Sequence, residues 1–130
     1  MVHFLPDVNP YRRPEKMPVE AWCDEKVADL ENAIKQIGPD KVGAFIAEPI
    51  LCSGGVIIPP DGYHKRTLEI CRKYDVLYIS DEVVTGFGRL GHWFASSDVF
   101  GIQPDIITCA KGLTSGSVSY THLTLPTRST

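Results

Sequence analysis

Two stretches of the chain carry apolar residues at helical spacing. Between Pro18 and Gly38 the apolar positions follow a 3.6-residue period, which predicts an amphipathic helix that ends at Gly38-Pro39. A second stripe follows Asp61, a residue type that suits a helix N-cap. It predicts a second helix, whose buried face contains Tyr63, Thr67, Ile70, Cys71 and Tyr74.

Three short runs are almost continuously apolar and do not alternate. They lie at 41–48, 76–79 and 105–110, and each is bounded by glycine, proline or acidic residues. Such runs are typical of parallel strands that are covered on both faces. The order strand, helix, strand, connection, strand therefore predicts an α/β fold with a mostly parallel sheet flanked by helices.

Composition excludes several classes of protein. Apolar residues make up 43% and charged residues 22%, as in ordinary globular domains. A net charge of −3 argues against a nucleic-acid partner, and the apolar runs are too short to cross a membrane. No secretory signal is recognisable, the four cysteines are scattered, and the histidines lack ligand spacing. We therefore expect a cytoplasmic protein without a metal site.

Ionisable residues stand at the ends of all three predicted strands: Glu48, Asp81 and Lys111. In an open parallel sheet the carboxyl ends of the strands meet at one edge, where functional groups gather. A lysine amine can form an imine with the aldehyde of pyridoxal phosphate (PLP), and a carboxylate can keep the pyridine nitrogen protonated. The pair Asp81 and Lys111 therefore predicts a PLP site.

Other readings of these residues exist. An apolar run that ends in Asp81-Glu82 also resembles the Walker B strand of a P-loop ATPase, but the required G-x-x-x-x-G-K-[ST] motif is absent from the sequence. A non-catalytic role as a dimerisation or folding fragment is a further alternative. The same acid and lysine would also serve a PLP-dependent decarboxylase or aminomutase.

A set of short motifs, in a fixed order, points to one family. The motifs are Glu48-Pro49, Gly54-Gly55-Val56-Ile57, Pro59-Pro60-x-Gly62-Tyr63, Asp81-Glu82-Val83-x-Thr85-Gly86-Phe87-Gly88-Arg89, Pro104-Asp105 and Ala110-Lys111-Gly112. Over residues 1–116 the chain resembles class III aminotransferases, most of all the ω-amino acid:pyruvate transaminases. The resemblance implies an incomplete part of the large PLP-binding domain of a fold-type I aminotransferase. It also implies a homodimer when full length, an amine donor and a 2-oxo acid acceptor.

The resemblance assigns roles to four residues. Lys111 is the Schiff-base lysine and then the general acid/base of the proton shift, and Asp81 pairs with the pyridinium nitrogen. Val83 packs on the face of the cofactor ring. Glu48 is either a neighbour of the cofactor or a strand-end acid that faces solvent.

Two departures from the family pattern bear on the substrate. Ornithine- and GABA-type members carry a glutamate where this chain has Ser53, and a glutamine where it has Val84. Both changes disfavour those substrates and favour a pyruvate-linked transaminase that acts on a terminal amine or an ω-amino acid. The family's phosphate-binding loop, its carboxylate-binding arginine and its partner-subunit threonine have no counterpart in residues 1–116. We therefore expect this polypeptide alone to be inactive and poorly stable, because a partial sheet leaves strand edges unpaired.

The last residues differ from the rest in character. Residues 117–130 carry many hydroxyls, a single charged side chain and no helical period. They resemble the translation of an adapter used in sequencing libraries. We therefore expect a non-native tail after the partial domain at 1–116.

Overall fold

The computed structural model describes residues 1–117. It contains α1 (Val19–Ile37), β1 (Ala44–Ala47), α2 (Tyr63–Lys73), β2 (Leu77–Asp81), α3 (Ala95–Asp98) and β3 (Ile106–Thr108). Short 3-10 turns occur at Pro10–Arg12, Pro39–Lys41 and Lys111–Thr114. The predicted alternation of helices and strands is confirmed, while the strands are shorter than the apolar runs that predicted them. The expected tail lies outside the described residues from residue 118 onward.

The three strands form one parallel sheet in the order β1-β2-β3. The crossover from β1 to β2 runs through α2, as parallel neighbours require. One sheet face and the helices share a hydrophobic core, in which Phe45 meets Tyr78 edge-on at 5.3 Å between ring centroids. The buried members of this core are Leu30, Ile34, Cys71, Val76, Tyr78 and Ile102.

The opposite face of the sheet differs from the prediction. Ile46, Ile79 and Ile106 lie side by side across the three strands, and Ile46 and Ile106 are 58% and 43% exposed. The apolar runs correctly indicate strands that need cover on both faces. Within residues 1–117, however, helices cover only one face of the sheet. Each Å² of apolar surface that stays in water forgoes about 25 cal/mol of folding free energy. The exposed face therefore supports the expectation that this chain alone is poorly stable.

The start of α2 also differs from the prediction. Gly62, rather than Asp61, occupies the N-cap position, and no side chain caps the helix. Gly62 has φ +80°, a left-handed conformation that glycine adopts at little cost. Asp61 instead contributes its backbone carbonyl, which lies 3.7 Å from the Cys23 thiol of α1.

A buried histidine of α2, His64, connects this helix to β2 and to Pro49, which lies just after β1. His64 Nε2 lies 2.9 Å from the carbonyl oxygen of Pro49, and Nδ1 lies 2.9 Å from the Tyr78 hydroxyl. A carbonyl can only accept, so Nε2 carries the proton and Nδ1 accepts from Tyr78. Burial lowers the pKa of His64, and the bond to Pro49 offsets this in part.

This histidine makes stability depend on pH. The pKa of an unfolded histidine is about 6.5, and the folded value is lower, so between the two the unfolded chain binds more protons. The free energy of unfolding should therefore fall as the pH drops below about 6.5, by at most about 1.4 kcal/mol per pH unit for this one group. Urea unfolding of the full-length protein between pH 7.5 and 5 measures the slope. His64→Gln should remove that component, and a profile identical to wild type would contradict the assignment.

Candidate active site

The structure brings the three predicted strand-end residues to one edge of the sheet. Glu48 directly follows β1, Asp81 is the last residue of β2, and Lys111 comes three residues after β3. Because the strands are parallel, these positions share the carboxyl edge. Val83 lies two residues beyond Asp81 and is half-buried.

Asp81 is held by the turn that follows it. Its Oδ1 accepts the backbone N–H of Val83 at 3.1 Å, which fixes the carboxylate at the strand end. The N–H of the next residue, Glu82, donates to the Thr108 carbonyl at 2.8 Å and continues the pairing of β2 with β3. The acid of the candidate site is therefore connected to the strand that leads to Lys111.

Lys111 begins a 3-10 turn in a strained conformation. Its φ is +37°, in the left-handed region that costs residues other than glycine about 1–3 kcal/mol. The turn is closed by the Gly116 N–H, which donates to the Lys111 carbonyl at 2.7 Å. Lys111 itself is exposed. The apolar run before Lys111 indicates a buried strand end, but no part of residues 1–117 covers the lysine.

Gly112 allows the lysine turn to pack against the turn after β2, and Gly86 allows that second turn to close on itself. A Cβ added to Gly112 would lie 2.9 Å from the Phe87 Cβ and 3.2 Å from the Gly86 carbonyl oxygen. A Cβ on Gly86 would lie 2.9 Å from the Glu82 carbonyl oxygen. These contacts leave no room for a side chain, so the position of Lys111 depends on a glycine beside it.

Gly112→Ala should displace the Lys111 turn. The added methyl group meets atoms of the neighbouring backbone, which cannot rotate away as a flexible side chain can. We expect PLP affinity of the full-length protein to fall at least about tenfold, since a displacement of about 1 Å can cost two orders of magnitude in a positioned site. Gly43→Ala, where an added Cβ meets nothing within 4 Å and the backbone is not left-handed, controls for the loss of backbone flexibility. Equal PLP affinity in both variants would contradict the packing argument.

Glu82 is a residue whose role the sequence analysis missed. Its side chain is fully buried, and its carboxylate accepts from the Thr85 hydroxyl at 3.0 Å and the Ala95 N–H at 2.6 Å. It also accepts from the N–H and the hydroxyl of Ser96, at 3.2 and 2.7 Å. Ser96 in turn bonds Ser80 of β2 at 2.7 Å. The carboxylate thus fastens the turn after Asp81 to the start of α3.

Glu48 faces a small hairpin loop. Its Oε2 accepts the N–H of Cys52 at 3.2 Å, and Leu51 pairs with Ile57 across the loop. Burial, followed by the charge of Glu48, raises the pKa of the Cys52 thiol, while Arg89 and Lys111 lower it. The charge of Glu48 thus opposes the charges of Arg89 and Lys111 in its effect on this thiol. Among the described residues, no hydrogen bond or ion pair joins Glu48 to Asp81 or to Lys111.

Arg89 has a structural role. Its Nε donates to the Val84 carbonyl at 2.8 Å, so the side chain anchors the glycine-containing turn. In the loops after β1 and β2, Ser53 and Trp93 are exposed and Cys52 is half-buried. Trp93 nevertheless meets Phe87 edge-on, with 6.1 Å between ring centroids.

The residues at this edge suit PLP. They comprise a lysine amine, a carboxylate one strand away, and the Thr108 hydroxyl, which is fully buried and has no hydrogen-bond partner within residues 1–117. These groups match the two ends of PLP: the lysine suits the aldehyde and the carboxylate suits the pyridine nitrogen.

In the described part of the chain, no group of three or more metal-ligating side chains occurs. No helix among the same residues is long and apolar enough to cross a membrane.

Comparison with protein families gives an extensive match. The family model "Aminotransferase class-III" matches residues 1–128. A hypotaurine/taurine–pyruvate aminotransferase of Paracoccus denitrificans is 54% identical over 112 residues, which cover 86% of this chain and 24% of that protein. A probable γ-aminobutyrate transaminase 2, mitochondrial, of rice (Oryza sativa subsp. indica) is 52% identical over 99 residues, 76% of this chain and 20% of that protein.

Solved structures give the same result. An ω-transaminase from Pseudomonas jessenii in complex with PMP superposes with a TM-score of 0.81 and 42% identity, over 86% of this chain and 25% of that one. The sheet and its helices thus match part of a fold-type I transaminase. The chain spans about a quarter of the length of the proteins that it matches.

Proposed function

Because the chain belongs to the class III aminotransferases, we propose that it forms the part of a PLP-dependent transaminase that holds the reactive lysine and the acid of the cofactor site. The observation that carries this proposal is the placement of Asp81 and Lys111 at the carboxyl ends of adjacent parallel strands. PLP, when bound, supplies an aldehyde that accepts the amino group and a ring that withdraws electrons from the reacting carbon.

Asp81 would bind the pyridine nitrogen and keep it protonated. Two unit charges about 4 Å apart at an effective dielectric of 20 attract by about 4 kcal/mol. Desolvation offsets part of that energy, and a net few kcal/mol remains in favour of the charged pair. The bond from the Val83 N–H occupies one carboxylate oxygen and leaves the other for this contact. Val83 itself would pack on the ring face.

Lys111 would bind the cofactor aldehyde through its Nζ and then move the proton. An amine in this role must lose its proton near neutral pH, and a nearby cationic group favours that loss. The fixed turn at Lys111–Thr114 and its contact with Gly86 and Phe87 hold the backbone from which the amine reaches the reacting carbon. Glu48 would act from the same edge as a neighbour of the cofactor.

We propose a terminal amine or an ω-amino acid as the donor and pyruvate as the acceptor. The taurine–pyruvate enzyme supports this assignment, as do Ser53 and Val84, which replace the glutamate and glutamine of ornithine- and GABA-type members. One relative is named a probable γ-aminobutyrate transaminase. γ-Aminobutyrate is therefore the competing donor that the test must include.

The test uses the purified full-length protein that contains this segment. It is incubated with PLP, pyruvate and, in turn, taurine, a diamine, γ-aminobutyrate and ornithine, and alanine formation is measured. We expect alanine from the diamine or from taurine, and no more than a trace from γ-aminobutyrate or ornithine. Release of CO₂ without alanine would show a decarboxylase, and isomerised amino acid without alanine an aminomutase. Either result would contradict the proposal.

A further inference from the structure

Thr108 carries a buried hydroxyl that nothing in the described structure satisfies. Its Oγ1 is inaccessible to solvent and makes no hydrogen bond within residues 1–117. A buried hydroxyl without a partner costs about 1–3 kcal/mol, so native structures keep few of them. Thr67 illustrates the usual case, because its hydroxyl donates to the carbonyls of Tyr63 and His64 at 2.9 and 3.0 Å.

The neighbour of Thr108 across the sheet is Asp81. The two residues are register partners in β3 and β2, which are parallel. Parallel strands lie about 4.8 Å apart, and register partners project their side chains from the same face. The unsatisfied hydroxyl therefore lies one strand away from the carboxylate of the candidate site, on the same side of the sheet.

The Thr108 hydroxyl has a free donor, and the Asp81 carboxylate has free acceptor positions. The Asp81 carboxylate has two oxygens and accepts one bond in the structure, from the Val83 N–H. A carboxylate accepts several more, whereas a threonine hydroxyl offers one donor. The backbone already joins the two strands at this level, through the Glu82 N–H and the Thr108 carbonyl at 2.8 Å.

We propose that Thr108 is a positioning residue for the cofactor site: its hydroxyl donates to the Asp81 carboxylate when the pyridine end of PLP is bound. Together with the bond from the Val83 N–H, it would orient the carboxylate for the ring nitrogen. The Thr108–Asp81 hydrogen bond forms when PLP binds, because the hydroxyl has no partner within residues 1–117. This inference rests on the proposed function and adds a residue to it.

Removing the Thr108 hydroxyl should affect the PLP-free protein and the PLP-bound protein differently. Thr108→Val keeps the shape of the side chain and deletes an unsatisfied polar group, so the urea midpoint of the cofactor-free protein should not fall. The same change removes a hydrogen bond to a charged group in the loaded protein, so the Kd for PLP should rise about tenfold. A purely structural threonine would lose stability in the free protein.

The experiment compares three variants of the full-length protein. Urea unfolding of the PLP-free form and titration with PLP, followed by visible absorbance, are measured for Thr108→Val, Thr108→Ser and Thr67→Val. Serine retains the hydroxyl and should bind PLP as wild type does. Thr67→Val removes a satisfied hydroxyl far from the site and should lower the urea midpoint without changing the Kd.

Three results would overturn the inference: an unchanged Kd in Thr108→Val, a raised Kd in Thr108→Ser as well, or a lowered urea midpoint in Thr108→Val. Its failure is distinguishable from failure of the proposed function. A wild-type protein that does not bind PLP contradicts the function. A wild-type protein that binds PLP, with Thr108→Val equal to it, contradicts only the role of Thr108.

Discussion

Replacing Asp81 by asparagine in the full-length protein should lower kcat/KM for transamination by about two orders of magnitude or more. Asparagine keeps the shape of the side chain but removes the charge that would hold the pyridine nitrogen protonated. A net electrostatic contribution of about 3 kcal/mol corresponds to about two powers of ten in rate. The measurement is alanine formation from pyruvate under saturating PLP, together with the Kd for PLP.

The matched control is Asp98→Asn. Asp98 is exposed in α3 and makes no hydrogen bond or ion pair among the described residues beyond its helix. It should retain wild-type kcat/KM. An Asp81→Asn enzyme with more than a tenth of the wild-type value would exclude the pairing of this carboxylate with the ring nitrogen.

Replacing Glu82 by alanine should lower the free energy of unfolding of the full-length protein by about 3–5 kcal/mol. The change leaves the buried donors of Thr85, Ala95 and Ser96 without an acceptor, and each such group costs about 1–3 kcal/mol. Urea denaturation of the PLP-free protein measures the loss. Glu82→Gln keeps one good acceptor oxygen and should lose about half as much.

Glu69→Ala is the control for this prediction. Glu69 lies exposed on α2, and substitutions at such positions usually change stability by less than about 0.5 kcal/mol. If Glu82→Ala were no less stable than Glu69→Ala, the hydrogen bonds of the buried carboxylate would not hold the turn after Asp81.

Local patterns predict most of the fold and the main residues of the site. Apolar spacing locates α1 and α2, and the three apolar runs locate the strands, because side-chain periodicity follows backbone geometry directly. The rule that parallel strands end at a common edge then brings Glu48, Asp81 and Lys111 together without any coordinates.

Long-range contacts explain what the sequence did not predict. Glu82 follows Asp81 and looks like a solvated acid, but it is buried. Its partners are Thr85 in the following turn and Ala95 and Ser96 at the start of α3, 13 and 14 residues further on. Thr108 sits within an ordinary strand pattern, and only the register of β2 with β3 places it beside Asp81. The uncovered sheet face was missed because apolar runs show which surfaces need cover, and the cover can lie outside the chain. Asp61 failed as an N-cap because Gly62 takes the left-handed conformation at the helix start.

Lys111 would be the residue that binds the cofactor aldehyde. The most direct test loads the full-length protein with PLP, reduces it with borohydride and maps the modified peptide by mass spectrometry. We expect a single reduced adduct on Lys111, accompanied by loss of the visible absorbance of bound PLP. An adduct on another lysine, or bound PLP that borohydride leaves unattached, would contradict it.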